Sequence, residues 1–371
     1  MKVIIAAAQT GGHINPGIAI ANKIKKENKN ARIMFIGTTR GIENDLVPRA
    51  GYELKTIEAY GINRKISMQN IKNMFKTLKG LGEAKKIVKE FAPDIVIGTG
   101  GFICGPVLMA AKKYKIPTMV HESNAFPGVA VKLLSKKVDT VLLGFEDAKK
   151  RLTKAKNTVV TGTPTKLKKI NLSKQQRERM INELNLNKEL PIVLVFGGSQ
   201  GAKSINSSLI DIIKNKANKN YQIIWASGTK QYNIIKDTLN ESKIDINKIQ
   251  NVKILPYIYN MEEIMNLADV IVSRSGAMTI TEVAITGKPA IFIPFPFATE
   301  NHQEYNARVL VNAGAAKLIL DKDLNADSLS NALNEMLKDK NKLLEMGQNA
   351  EKVAIKDVEE KIYTEIKKLM K

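Results

Sequence analysis

Short apolar runs rich in β-branched residues alternate with helix-length segments along most of this chain. Val3–Ala8, Arg32–Ile36, Ile95–Gly98, Thr118–Val120, Thr140–Leu143 and Thr158–Val160 read as one series of strands. Ile192–Phe196, Gln222–Ala226, Val252–Leu255, Val270–Ser273 and Ala290–Pro294 read as a second. The runs are continuous rather than alternating, as parallel strands buried on both faces must be. Repeated strand–helix–strand units predict an α/β fold with doubly wound sheets. The segment Thr161–Leu172 holds Gly, Pro and Lys without helical periodicity, and it interrupts the series as a linker would. Two Rossmann-like domains follow, expected over 1–162 and 163–344, with a helix over about 345–371 packing back on the first. A length of 371 residues suits two domains of ~100–200 residues each. Ligands of such sheets bind at the carboxyl ends of the strands, so a deep cleft between two facing domains is the expected site.

Glycine turns stand at those strand ends. The first is Gln9-Thr10-Gly11-Gly12-His13, ahead of a helix expected over Asn15–Lys29. Its glycines let backbone amides approach an anion, and the helix N-terminus adds a favourable dipole. The spacing is not G-x-G-x-x-G, which argues against a dinucleotide. A tight structural turn would use the same glycines, but His13 at its mouth can act as a general base near neutral pH. Gly98-Thr99-Gly100-Gly101 is a second turn, open to either a pyrophosphate or a packing role. His121-Glu122-Ser123-Asn124 concentrates hydrogen-bonding groups at a third, a density unusual for a strand end that points to a site, with a satisfied polar turn as the alternative. Gly197-Gly198-Ser199-Gln200-Gly201-Ala202 is the second domain's counterpart of the first, with Ser199 and the loop amides suited to a diphosphate. Lys203 just beyond reads as solvated. All three histidines, His13, His121 and His302, fall on expected strand-end loops. The stretch from Ser273 to Asn306, SRSGAMTITEVAITGKPAIFIPFPFATENHQEYN, carries a Glu on a glycine-turn helix and an Asn-His-Gln cluster after a Pro-rich strand. No core needs these, and the segment reads as half of a nucleotide-sugar site.

Composition narrows the partners. The chain has 58 Lys and Arg against 36 Asp and Glu, a net charge of +22. Such an excess favours anionic partners, although a Lys- and Asn-rich composition alone would also produce it. Residues 63–91 read as a basic amphipathic helix: Ile71, Met74, Phe75, Leu78 and Leu81 share a face, flanked by Arg64, Lys65, Lys72, Lys76, Lys79, Lys85 and Lys86. That pattern suits an anionic membrane surface, and equally a domain helix with a solvated face. Nucleic acid is disfavoured, since no helix-turn-helix or stacking platform is evident. One cysteine, Cys104, allows no intrachain disulfide, and the scattered histidines show no metal-ligand spacing. No apolar run reaches the ~18–20 residues that span a bilayer, and a cytoplasmic protein is expected.

Five motifs, TGGHINPGIAIA, GTGGF..GP, HESNAFPG, GGSQGA and SRSGAMTITEVAITGKPAIFIPFP…HQEYNA, together resemble the MurG family of peptidoglycan glycosyltransferases, in order and over nearly the whole chain. The resemblance implies a GT-B fold and inverting transfer of N-acetylglucosamine from its UDP donor to the 4-hydroxyl of undecaprenyl-pyrophosphoryl-N-acetylmuramoyl-pentapeptide, with no cofactor and no obligatory metal. It implies that Ser199 contacts the diphosphate and that Ile258 contacts uracil through its backbone. Ala277, Met278, Thr279, Ile280, Thr281 and Glu282 would line the nucleotide pocket, with Glu282 on the ribose hydroxyls, and Gln303 would contact the sugar. Thr10, Gly11, Gly12 and Asn124 would face the sugar and acceptor, with His13 the expected base and Glu122 its rival or an orienting group. The basic stretch over 63–91 would be the membrane surface of a peripheral protein on the cytoplasmic face, within a possible cell-wall synthesis complex. Four positions depart from the pattern. Ala8 and Gln9 replace the usual glycines before Thr10. Lys166 stands for an arginine in the donor site and loses its bidentate fork. Phe102 stands where tyrosine is common. A related GT-B transferase acting on diacylglycerol, and a non-catalytic nucleotide-sugar or nucleic-acid binder, are the competing readings.

Overall fold

A computed structural model describes the backbone of all residues except 61–67, 199, 247, 250 and 371, and side chains except also those of 68–75. It divides into two compact units, 1–166 with 355–371, and 167–354. The unit boundary therefore falls at 166/167 rather than the expected 162/163, and the returning segment begins at Ile355 rather than near 345.

In the first unit the elements run β1 (Lys2–Ala7), α1 (Gly11–Glu27), β2 (Arg32–Gly37), α2 (Glu43–Arg49), β3 (Glu53–Thr56), α3 (Met68–Phe91), β4 (Ile95–Gly100), α4 (Cys104–Lys113), β5 (Thr118–Glu122), α5 (Val129–Leu134), β6 (Thr140–Leu143) and β7 (Thr158–Val160). The second unit continues with α6 (Lys174–Glu183), β8 (Ile192–Phe196), α7 (Lys203–Lys214), β9 (Gln222–Ala226), α8 (Tyr232–Glu241), β10 (Val252–Leu255), α9 (Met261–Leu267), β11 (Val270–Ser273), α10 (Ala277–Thr286), β12 (Ala290–Phe292), α11 (His302–Asn312), β13 (Ala316–Leu318), α12 (Ala326–Lys338) and α13 (Lys340–Val353). The last helix, α14 (Val358–Leu369), belongs to the first unit.

The first sheet has the order β3-β2-β1-β4-β5-β6-β7 and the second β10-β9-β8-β11-β12-β13, with parallel pairing throughout. The direction of winding reverses between β1 and β4, and again between β8 and β11. These are the topological switch points of the two sheets, where the loops leaving adjacent strands part to opposite faces and leave a crevice.

Period-2 geometry explains why the central strands read as unbroken apolar runs. Val3, Ile5 and Ala7 of β1 pack on one face with Ile14 and Ile18 of α1, and Ile362 and Ile366 of α14 complete that layer. Ile4 and Ala6 pack on the other with Ala84 and Val88 of α3 and Val107 and Leu108 of α4. Both faces are covered, so neither set can be polar. Helix α13 stays with the second unit because it packs against α10, α11 and α12. On α3, Leu81 packs against the core while Leu78 is 57% exposed, so the expected single apolar face divides here. Arg64 and Lys65 lie outside the described residues, as do the side chains of Ile71, Lys72, Met74 and Phe75.

Candidate active site

In the first unit the switch point is formed by the β1–α1 turn and the end of β4. Helix α1 begins at Gly11, earlier than expected, so Gly11, Gly12 and His13 form its first turn. Thr10 occupies the N-cap, where its side chain makes no capping bond, and its carbonyl accepts from the His13 and Ile14 amides at 3.0 and 3.1 Å. Thr99 Oγ1 donates to the His13 carbonyl at 2.8 Å, tying the turn to β4. His13 Nδ1 lies 2.9 Å from the Ala8 carbonyl. A carbonyl only accepts, so Nδ1 carries the proton, and in the neutral ring the basic lone pair is on Nε2. Gly100 and Gly101, with φ of +135° and +85°, let β4 pass close beside this ring.

At the end of β5 the polar cluster is organised differently from the expectation. His121 lies within the strand, is 1% exposed and is fully engaged: Nε2 donates to the Gly162 carbonyl at 2.9 Å, and Ser123 Oγ lies 3.2 Å from Nδ1. It is a satisfied core histidine rather than a loop residue. Burial lowers its pKa to about 4, against the carbonyl's opposing pull. The unfolded chain therefore takes up a proton near pH 6.5 that the folded chain refuses until about pH 4, and stability drains away as pH falls through that window. The loss amounts to about 3 kcal/mol by pH 4. Glu122, whose pKa burial raises despite its amide donors, acts in the opposite sense at acid pH. Thermal melts from pH 7.5 to 5 should accordingly fall more steeply for the native protein than for His121→Gln, and parallel slopes would refute the assignment.

Glu122 is also buried, 4% exposed. Its Oε1 accepts from the backbone and side-chain amides of Asn124 at 2.8 and 3.0 Å, and Oε2 accepts from Gly128 N at 2.8 Å. The carboxylate thus fixes the Asn124 loop.

In the second unit a cavity of about 580 Å³ opens at the β8/β11 switch point. The glycines of the 197–201 loop form one wall, and Gly276 and Thr279 at the start of α10 form another. Gln303, Phe295 and Phe297 edge it, and the Gln303 side-chain oxygen accepts from Phe295 N at 2.9 Å. Gly198 and Gly201 have φ of +89° and +77°. Arg274 falls inside the SRSGAM stretch, but the sequence assigns it no role; its one local signal is its place at the end of an apolar strand just before a glycine turn. Its Nη1 donates to Asp321 Oδ1 at 2.5 Å and to the Ile293 and Pro294 carbonyls at 3.1 and 3.0 Å. Its Nη2 donates to Ser204 Oγ at 2.9 Å, and Ser204 donates to Asp321 at 2.6 Å. A rigidly held guanidinium, loop amides and a helix N-terminus in one cavity of this size suit a nucleoside diphosphate carrying a small neutral group. Lys203 is exposed, and it also lines the cavity.

Of the other expected donor residues, Ala277, Met278, Thr279, Ile280, Thr281 and Glu282 all lie on α10; Thr279 lines the cavity, whereas Ile280 is fully buried and belongs to the core. Ile258 is 3% exposed and does not line this cavity. Lys166 is exposed at the end of the first unit and does not line this cavity. Ser199 lies outside the described residues. His302 opens α11, with Nδ1 2.7 Å from the Thr299 carbonyl.

Fold and cavity together suit a two-domain protein that handles a nucleotide sugar, and comparisons with known proteins place it among the transferases. Residues 3–143 match the glycosyltransferase family 28 N-terminal domain and residues 192–362 its C-terminal domain. Over the whole chain it is 45% identical to the UDP-N-acetylglucosamine--N-acetylmuramyl-(pentapeptide) pyrophosphoryl-undecaprenol N-acetylglucosamine transferase of Acetivibrio thermocellus, covering 99% of that protein. It is 41% identical to one from Bacillus cereus, with both chains fully covered. The crystal structure of Acinetobacter baumannii MurG superposes with a TM-score of 0.78 at 28% identity, covering 99% of each chain. The calicheamicin glycosyltransferase CalG4, at 14% identity and a TM-score of 0.69, shares the fold. The chain belongs to the MurG family of N-acetylglucosamine transferases, within glycosyltransferase family 28, and has the GT-B fold.

Proposed function

We propose that this chain transfers N-acetylglucosamine from UDP-N-acetylglucosamine to the 4-hydroxyl of undecaprenyl-pyrophosphoryl-N-acetylmuramoyl-pentapeptide, with inversion at the anomeric carbon. The observation that carries this reading is the end-to-end match to relatives named for that reaction. His13 Nε2 takes the proton of the acceptor hydroxyl. The hydroxyl oxygen bonds to the anomeric carbon as the bond to UDP breaks. Preorganised donors stabilise the charge gathering on the departing diphosphate. Arg274 and the 197–201 loop amides supply them, with Ser199 at that loop as a further contact. The Ile258 backbone meets the uracil, Glu282 the ribose and Gln303 the transferred sugar. Thr10, Gly11, Gly12 and Asn124 face the acceptor, and Glu122 acts by orienting Asn124.

The donor cavity lies in the second unit and His13 in the first, so their losses separate. His13→Ala should lower the turnover number by about 10²–10⁴-fold while UDP-N-acetylglucosamine binding holds. Unchanged turnover in this variant would move the base elsewhere.

The acceptor is a membrane lipid. Among the described residues no helix is long and apolar enough to cross a membrane. Exposed Leu78 beside Lys76, Lys79, Lys85 and Lys86 supports peripheral contact with an anionic lipid surface at the cytoplasmic face. A cell-wall synthesis complex there would deliver acceptor and remove product.

A further inference from the structure

We infer that Glu43, far from His13 in the sequence and outside every motif noted above, is a positioning residue that sets the His13 turn for catalysis. The inference rests on His13 being the base.

Glu43 opens α2 and is fully buried. Its Oε2 accepts from Gln9 N at 3.0 Å. Its Oε1 accepts from Thr38 N at 2.9 Å and Thr38 Oγ1 at 2.7 Å. These are neutral donors, and both oxygens must accept. Burial alone would raise the pKa of this carboxyl, but the donors outweigh it and hold the group ionised. The surrounding backbone is shaped to admit it: a Cβ on Gly41 would stand 1.8 Å from Oε2, and one on Gly37 would stand 2.7 Å from Cγ.

The bond to Gln9 is the consequential one. Gln9 has a φ of +81°, a conformation that favours glycine. It sits between Ala8, whose carbonyl fixes His13 Nδ1, and Thr10, whose carbonyl starts α1. A left-handed non-glycine residue persists only when its surroundings hold it there. The Glu43 carboxylate does this from the neighbouring strand connection. Its loss lets the peptide around Gln9 rotate and carries the Ala8 carbonyl, and with it the imidazole, out of line.

Glu43→Gln keeps the volume but, in either orientation, sets an NH₂ group against an N–H. We expect the turnover number to fall about 10–100-fold, as small misplacements of a catalytic group do, with UDP-N-acetylglucosamine affinity in the second unit unchanged. In the Gln9→Gly background the turn needs no such restraint, so the same substitution should cost less than about 3-fold. Long-range ¹H–¹⁵N spectra of the three histidines should show the His13 ring signals move in Glu43→Gln while those of His302 stay. A purely structural Glu43 would lower the melting temperature equally in both backgrounds and leave turnover per folded molecule and the His13 signals as in the native protein. That result would overturn the proposal. If the native protein transferred nothing, the functional reading would fail, while unmoved His13 signals would still refute the positioning role separately.

Discussion

Gly100→Ala should reduce sugar transfer by more than about 100-fold while leaving the donor site intact. A Cβ at Gly100 would stand 2.2 Å from His13 Cδ2, 2.6 Å from Cγ and 2.9 Å from Nε2. No such contact survives, so either the imidazole swings off the Ala8 carbonyl or the end of β4 moves. The backbone cannot yield cheaply, since φ of +135° is already hostile to a side chain and costs about 1–3 kcal/mol for alanine. Both routes displace the proposed base from its fixed tautomer and position. Steady-state transfer beside a UDP-N-acetylglucosamine titration distinguishes this from general unfolding: turnover collapses and donor affinity holds within about twofold. Transfer near the native rate would show that the His13 ring position is unimportant.

The second large effect belongs to the donor cavity. Arg274→Lys keeps the charge but should weaken UDP-N-acetylglucosamine binding about 10–100-fold, equivalent to roughly 1.4–2.8 kcal/mol. One ammonium cannot reproduce a planar fork that reaches Asp321, Ser204 and two backbone carbonyls together. Without the fork the Phe295 segment loses its tie to β11, and with it the anchor of Gln303 at the cavity edge. Calorimetric titration of UDP and of UDP-N-acetylglucosamine reads the change directly. Equal affinity in the lysine variant would show that the Arg274 fork neither meets the diphosphate nor holds the cavity edge in place.

The sequence was most legible where burial on both faces forces unbroken apolar runs. Every strand of the two sheet centres could be read that way. β3 (ELKT) and β13 (AKL) could not: each closes an edge of its sheet, is short and partly exposed, and so lacks the apolar signature. Glycine turns at strand ends marked both switch points, because close backbone approach leaves a residue-level trace. His121 misled for a related reason. A histidine two residues before Ser123 looks like a site residue, but its partner is the Gly162 carbonyl, contributed by a segment 41 residues away that no local pattern announces. Arg274 and Glu43 were silent on similar grounds. Their roles come from Asp321, and from Gln9 and Thr38, brought together only by the winding of the sheet. The Ile280 side chain was grouped with the donor pocket by its motif, but helix periodicity turns it into the core.

The central claim is a specific transfer, and one assay addresses it most directly. Native protein is given UDP-N-acetylglucosamine labelled in the sugar, with undecaprenyl-pyrophosphoryl-N-acetylmuramoyl-pentapeptide in one vessel and diacylglycerol in another. The product is extracted and its new linkage is assigned by NMR. We expect label only on the muramoyl lipid, joined as a β-linkage to the 4-hydroxyl. Label on diacylglycerol, an α-linkage, or bound donor with no transfer to the muramoyl lipid would contradict the account.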